Sequence, residues 1–179
     1  MRKIVVLILS LLFILLIPFV TYVMEYVPVK AINKEKVLYN LPYPGILPDN
    51  PLYLVKALRD RFLELGTRDN TKKAELYLLY SDKRFAMAIA LSKKGNEKRA
   101  VETASKGEKY FFKIPPLLVD AKKQGTGTSS EFIETLRLSN SKHQEILETF
   151  IKELPQGLNE SINGILEINS KIKKSLETL

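Results

Sequence analysis

The chain contains no cysteine. That absence excludes disulfides, thiol nucleophiles, cysteine metal sites and a lipid anchor attached to an N-terminal cysteine. It is compatible with any redox compartment. Histidine is nearly as scarce, with His143 the only one. A histidine-based metal centre would therefore need carboxylates for most of its protein ligands. Serines are plentiful, yet none stands in a nucleophile motif. Gln124-Gly-Thr-Gly-Thr lacks the glycine–lysine spacing and the preceding strand of a phosphate loop. No alternating strand pattern and no fixed-period repeat occurs. The acids are interleaved with bases, as in Arg59-Asp60-Arg61, Lys73-Ala-Glu75 and Glu97-Lys98, which reads as ion pairs on a solvated face and not as a two-carboxylate site. No catalytic residue, cofactor site or metal site is identified, and the chain is read as a non-enzyme.

What the chain does have is an uncharged, 21-residue apolar run from Ile4 to Met24, directly after Arg2 and Lys3. As a helix it spans about 31 Å, the thickness of a bilayer's hydrocarbon core. Residues 1–24, with Ile4, Leu12, Pro18, Tyr22 and Met24 along the run, are read as a transmembrane signal-anchor. Pro18 is tolerated in a membrane helix, and Phe19, Tyr22 and Tyr26 suit the membrane interface. The competing reading is a secretory signal cleaved near Val29-Lys30-Ala31. The run is longer than a signal core, and Tyr22, Met24, Glu25 and Tyr26 are poor cleavage neighbours. Lys30, Lys34 and Lys36 nearly balance the N-terminal positive charge. The short basic N-terminus and the long domain after it favour a C-terminal domain outside the cytoplasm.

The net charge is +8, of which Arg2 and Lys3 account for two. The remaining bases are dispersed among acids, unlike a nucleic-acid footprint. A mild attraction to anionic lipid headgroups is expected of such a domain held at a membrane.

Residues 25–50 form a linker that becomes a proline-rich strap, with Pro42, Pro44, Pro48 and Pro51 in Leu41–Pro51. Tyr43-Pro44-Gly45-Ile46 predicts a tight turn, Pro44 setting φ and Gly45 supplying φ > 0. Leu41, Tyr43, Ile46 and Leu47 are apolar enough to pack on the helices that follow. Residues 51–179 predict an all-α, antiparallel bundle of four to five helices. The first is capped by Asp49 or Asn50 with Pro51 at its first position. It carries Leu54, Val55, Leu58, Phe62 and Leu65 at helical spacing and ends at Gly66. The second starts at Asp69, Asn70 or Thr71 and runs to Gly95. Its wide apolar arc, Leu76, Leu78, Tyr80, Phe85, Met87, Ala88 and Ile89, implies neighbours on several sides. The third, capped by Asn96, has Ala100, Val101, Ala104, Phe111 and Phe112 on its inner face. Gly107 weakens it, and Pro115-Pro116 break or kink it near Ile114. After a flexible loop, Thr128-Ser-Ser-Glu131 has capping-box spacing and opens a fourth helix reaching about Leu154. Its stripe of Ile133, Leu136, Leu147, Phe150 and Leu154 is interrupted by Asn140 and His143. That placement makes His143 a packed, hydrogen-bonded imidazole with Asn140 as a partner. A fifth helix covers roughly Leu158 to Leu176.

Leu41–Arg61 followed by Lys72–Asn96 resembles a bacterial family known only as domain of unknown function 5667. Tyr43, Pro44, Gly45, Pro48, Asp49, Pro51, Lys73, Ala74, Glu75 and Leu76 carry the resemblance, and Lys142-His143-Gln144-Glu145 is similar to a recurring segment of such proteins. It covers about residues 41–154. Family-like sequences keep the third helix continuous, whereas Pro115-Pro116 interrupt it here, and the second helix is less acidic than usual. The resemblance implies a helical extracytoplasmic domain after a membrane segment, and no chemistry.

The expected role is a membrane-anchored, extracytoplasmic interaction or scaffold module of the cell envelope. Its partners are the lipid bilayer and a protein or envelope component. The alternative is a small-ligand sensor or carrier with a pocket opened by the proline kink and the glycine loop. Tyr77 and Tyr80 with Lys83 and Arg84 place aromatic and basic groups on one helix. They read as tyrosines at a packing boundary with hydroxyls in water, or as a carbohydrate or anionic-polymer site.

Overall fold

The computed structural model describes residues 37–179. The expected anchor, with Ile4, Leu12, Pro18, Tyr22 and Met24, and the first part of the linker lie outside the described residues. No helix among those described is long and apolar enough to cross a membrane. The described chain is all-α: α1 Tyr53–Gly66, α2 Asn70–Lys93, α3 Glu97–Phe111, α4 Ile114–Lys123, α5 Ser130–Glu153 and α6 Asn159–Glu177, with a 3-10 turn at Gln156–Leu158 leading into α6.

Local chemistry accounts for most of the boundaries. Asp69 caps α2 by accepting from the Lys72 backbone N–H at 2.8 Å. Gly95, at φ +73°, ends α2 in a left-handed turn in which the Asn96 N–H reaches back to the Leu91 carbonyl. Gly45 takes φ +67°, as its turn requires. Pro115 and Pro116 do interrupt the third helix. They sit in the first turn of α4, where their missing donors break no helical hydrogen bond, so α3 and α4 are the two arms of one interrupted helix. Two expected caps move, and a third keeps its place without its bond. Ser129, not Thr128, caps α5 and accepts from the Phe132 N–H. Asn96 occupies the N-cap position of α3 without a side-chain cap bond. Asn50 accepts from the Leu52 N–H, so Pro51 lies in a turn before α1.

The contacts show antiparallel packing. Along α2 and α3, Tyr77 meets Tyr110 while Ser81 meets Gly107, and along α5 and α6, Arg137 reaches Leu176 while Asn140 reaches Asn169. Two apolar clusters fill the bundle. One joins Phe85, Leu91, Val101, Leu147, Phe150 and Ile162. The other joins Tyr77, Phe111, Ile114, Leu118, Leu136 and Ile172. Between them every long helix contributes a buried polar residue: Asp82 from α2, Glu108 from α3, Ser139, Asn140 and His143 from α5, and Asn169 from α6. The bundle therefore has a polar layer at mid-height.

The strap and α1 lie outside this core. Leu41 and Leu47 pack against the first cluster, whereas Tyr43 and Ile46 stay exposed. On α1 the expected polarity is inverted. Asp60 and Glu64 are buried, while Leu54, Val55, Leu58, Phe62 and Leu65 are all between 58% and 76% exposed. Phe112, expected inside, is half exposed.

Gly107 has a packing role where its sequence reading was only a weak point in a helix. A Cβ there would lie 3.0 Å from two ring atoms of Phe85 and 3.1 Å from the Arg84 Cβ. Phe85 is fully buried and cannot retreat. Gly107→Ala is therefore expected to lose about 1–2 kcal/mol net, the overpacking outweighing the helix-propensity gain. Gly164, in mid-α6, has nothing within 4 Å of such a Cβ. Gly164→Ala is expected to gain about 0.5–1 kcal/mol. Urea unfolding of the two variants beside the parent checks both signs.

Candidate functional site

The polar layer is built around one imidazole. His143 is fully buried and its Nε2 lies 3.0 Å from Asp82 Oδ1. On its other side Nδ1 lies 3.3 Å from Glu108 Oε1, at ion-pair range but off the line of a good hydrogen bond. Phe85 stacks on one face of the ring at 3.7 Å between centroids, and Phe111 meets it edge-on at 5.5 Å. Asp82 also accepts from the Ser139 hydroxyl at 2.6 Å and from the Tyr39 hydroxyl on the strap. Asn169 donates to Glu108 at 2.9 Å and to the Asn140 carbonyl at 3.0 Å, and Asn140 donates back to the Asn169 carbonyl. Asn140 thus pairs with α6 and not with His143.

Burial alone lowers the basicity of His143. The hydrogen bond to Asp82 and the close charges of Glu108 and Asp82 outweigh it, so its pKa is raised above the ordinary value. The cluster has the residue types of an acid–base site, yet Ser139, Glu108 and His143 are all completely shielded from solvent. What this arrangement supplies is cohesion among four helices. Among the described residues no group of histidine, aspartate and glutamate has metal-holding geometry.

A second polar seam joins α1 to α2. Tyr77 donates to Glu64 at 2.8 Å and Tyr80 to the Asp60 carbonyl at 2.9 Å. Their hydroxyls are therefore spent inside the protein, against the expectation that they face water. Glu64 also pairs with Arg61 at 2.9 Å and with Lys113 at 3.5 Å. Burial pushes its carboxyl up, but the bonds from Tyr77 and Arg61 and the Lys113 charge leave its pKa lowered. Burial, then the bond to Glu64, pushes Tyr77 up to about 12. Burial likewise brings Lys56 and Lys83 down to about 8.

Beside this seam is an open cleft of about 170 Å³ lined by Arg84, Lys106, Lys109, Tyr110 and Lys113. The Arg84 guanidinium lies 5.3 Å from the Tyr53 ring of α1 and 5.8 Å from the Tyr110 ring, while the Lys113 ammonium lies 5.0 Å from Tyr77 and 5.1 Å from Tyr110. The cleft is rich in cations and adjoins α1.

Sequence reasoning reached His143 and Asn140, which interrupt an apolar stripe. It missed Asp82 and Glu108, which stand among lysines in Ser81-Asp-Lys-Arg84 and Lys106-Gly-Glu-Lys109 and read as solvated charge. The resemblance-bearing residues do not converge on a site. The Pro44 carbonyl accepts from Lys56 at 3.4 Å, and Asp49 pairs with Lys94 at 3.1 Å, so this stretch clips the strap to α1 and to the end of α2. Ala74 is buried in the second cluster with Leu76 packed against that cluster, Glu75 is exposed and Lys73 is half-buried.

Fold and layer together define a helical-bundle domain with a sealed polar core and no accessible acid–base group in that core. The match to a family model narrows this: the chain belongs to the family described as "Domain of unknown function (DUF5667)", with residues 45–157 matched. No curated protein and no solved structure matches it.

Replacing His143 with asparagine leaves two buried carboxylates without their cation and is expected to cost about 3–5 kcal/mol. Because the folded pKa is raised, the imidazole's contribution is complete below the unfolded value of about 6.5 and declines as pH rises through the folded one. In urea titrations the stability of the parent should therefore fall as pH rises from about 6.5 to about 7, below the range in which Lys56 and Lys83 titrate; a rise there would refute the sign. Tyr77→Phe should cost about 1–3 kcal/mol by removing a donor from buried Glu64. Hydrogen exchange should locate the loosening in α1 and leave α5 and α6 protected.

Proposed function

We propose that this protein is a membrane-anchored, extracytoplasmic helical module that acts by binding, as a non-enzymatic interaction or scaffold module of the cell envelope. The observation that carries this reading is the outward apolar face of α1, five large side chains at more than half exposure on one helix. An enzyme has no need to display such a face, whereas a docking module does. Burial of the acid–histidine cluster also favours binding over turnover. The apolar run Ile4–Met24 supplies the anchor in this reading, and the proline-rich strap spaces the bundle from it.

The sensor alternative draws less support. The basic cleft of about 170 Å³ is smaller than the roughly 300–1,000 Å³ of ordinary ligand pockets. Beside the prolines, where a pocket was expected, Ile114, Pro115, Leu118 and Ala121 are buried and fill the space.

A photo-crosslinking residue at Val55 in cells should give adducts with a membrane or envelope component, and the same residue at exposed Lys171 on α6 should not. Equal labelling at both positions would contradict docking through α1. Protease added to wall-stripped cells should remove the bundle, and full protection would contradict the outside placement.

A further inference from the structure

We propose that α1 and the basic cleft beside it form one surface that docks on an anionic lipid bilayer. This rests on the tethered-module reading and names its partner. At about 100° per residue, Leu54, Val55, Leu58, Phe62 and Leu65 fall within an arc of about 100° on α1. Arg59 and Arg61 border that arc on either side. The two acids of α1, Asp60 and Glu64, point the other way and are buried and paired with Arg59 and Arg61. The outward surface of α1 therefore presents hydrocarbon and no carboxylate, edged by the exposed Arg61, while Arg59 is largely covered by its pairing with Asp60. This is the charge distribution of a helix lying in the interface, its apolar side among acyl chains and its cations among phosphates.

The cleft extends this pattern. Arg84 and Lys113 are shared, since each lines the cleft and also contacts α1, through Tyr53 and Glu64 respectively. Lys106, Lys109 and Lys113 recur along one side of the α3–α4 arm, so the cleft sets three ammonium groups beside the Tyr53 and Glu64 flank of α1, where headgroup phosphates can reach them. A bilayer with anionic headgroups meets both halves of the surface at once. A second copy of the same face would set the cations of the cleft against like charges. Chain length also permits the contact: about 12 residues separate the run Ile4–Met24 from Val37, where the strap is held to the bundle, and extended they reach about 40 Å.

The chain has no tryptophan, so Phe62→Trp installs a single one, excited apart from the tyrosines, at a position that is 65% exposed. The full-length variant is placed in nanodiscs of phosphatidylcholine alone, or mixed with phosphatidylglycerol, with and without brominated acyl chains. The expected result is a blue-shifted emission quenched by bromine, stronger in the mixed discs. Lys106→Glu with Lys109→Glu should remove the preference for the mixed discs while circular dichroism stays unchanged. Leu58→Trp is a second reporter should Phe62→Trp disturb folding. Water-like emission in both disc types overturns the proposal. So does a blue shift without bromine quenching, which means that a second copy or another part of this chain covers α1. Retention in discs after a chaotrope wash reports the tether separately. A chain that leaves the discs but is quenched when anionic discs are added back contradicts only the tether. One that leaves and stays unquenched contradicts the docking as well.

Discussion

The fold depends on one imidazole held between two carboxylates in the middle of a helical bundle. His143, Asp82 and Glu108 are each buried, and isolated charges at that depth would cost several kcal/mol apiece. They are tolerated because each is a partner of another. Four helices must therefore arrive in one register. A slip of a single residue along α2 or α3 shifts a carboxylate by about 1.5 Å and swings it round by about 100°. Apolar contacts above and below the layer tolerate such slips far better, since they are non-directional. The two apolar clusters supply most of the cohesion, and the polar layer selects the arrangement.

The same logic runs outward to α1. It is attached by oriented polar contacts, Tyr77 to Glu64 and Tyr80 to the Asp60 carbonyl, and by the Arg84 guanidinium packed on the Tyr53 ring. Glu64 is turned inward to accept from Tyr77, and Asp60 is buried beside it and paired with Arg59, which turns the leucines and Phe62 outward. The exposed apolar face is thus a consequence of how the helix is held. The strap follows the same rule: Tyr39 reaches the central Asp82, and the Val37 N–H meets Glu145 at 2.9 Å.

Much of the architecture was legible in the residues. Periodicity and punctuation located the long helices, and Asp69, Gly95 and Pro155 mark ends for local reasons that need no tertiary knowledge. His143 was legible as a buried, hydrogen-bonded side chain because it interrupts an apolar stripe. Its partners were not. Asp82 and Glu108 stand next to lysines, and only the packing of α2 and α3 against α5 separates them from those neighbours and buries them. The orientation of α1 was illegible for the opposite reason. Its helical spacing of leucines is what an inward face looks like, and only its packing against the tyrosines of α2 reveals that its acids point in. Gly107 reads as a flaw in a helix until Phe85 is seen against it.

The central claim, that a buried cationic imidazole holds the layer together, is open to direct measurement. Since the chain has only one histidine, imidazole-labelled protein gives one unambiguous set of nitrogen and carbon resonances. The account predicts an imidazolium, protonated on both nitrogens, that persists above the pH of about 6.5 at which an ordinary histidine titrates. A neutral tautomer already dominant at or below that pH, in the folded protein, would contradict it.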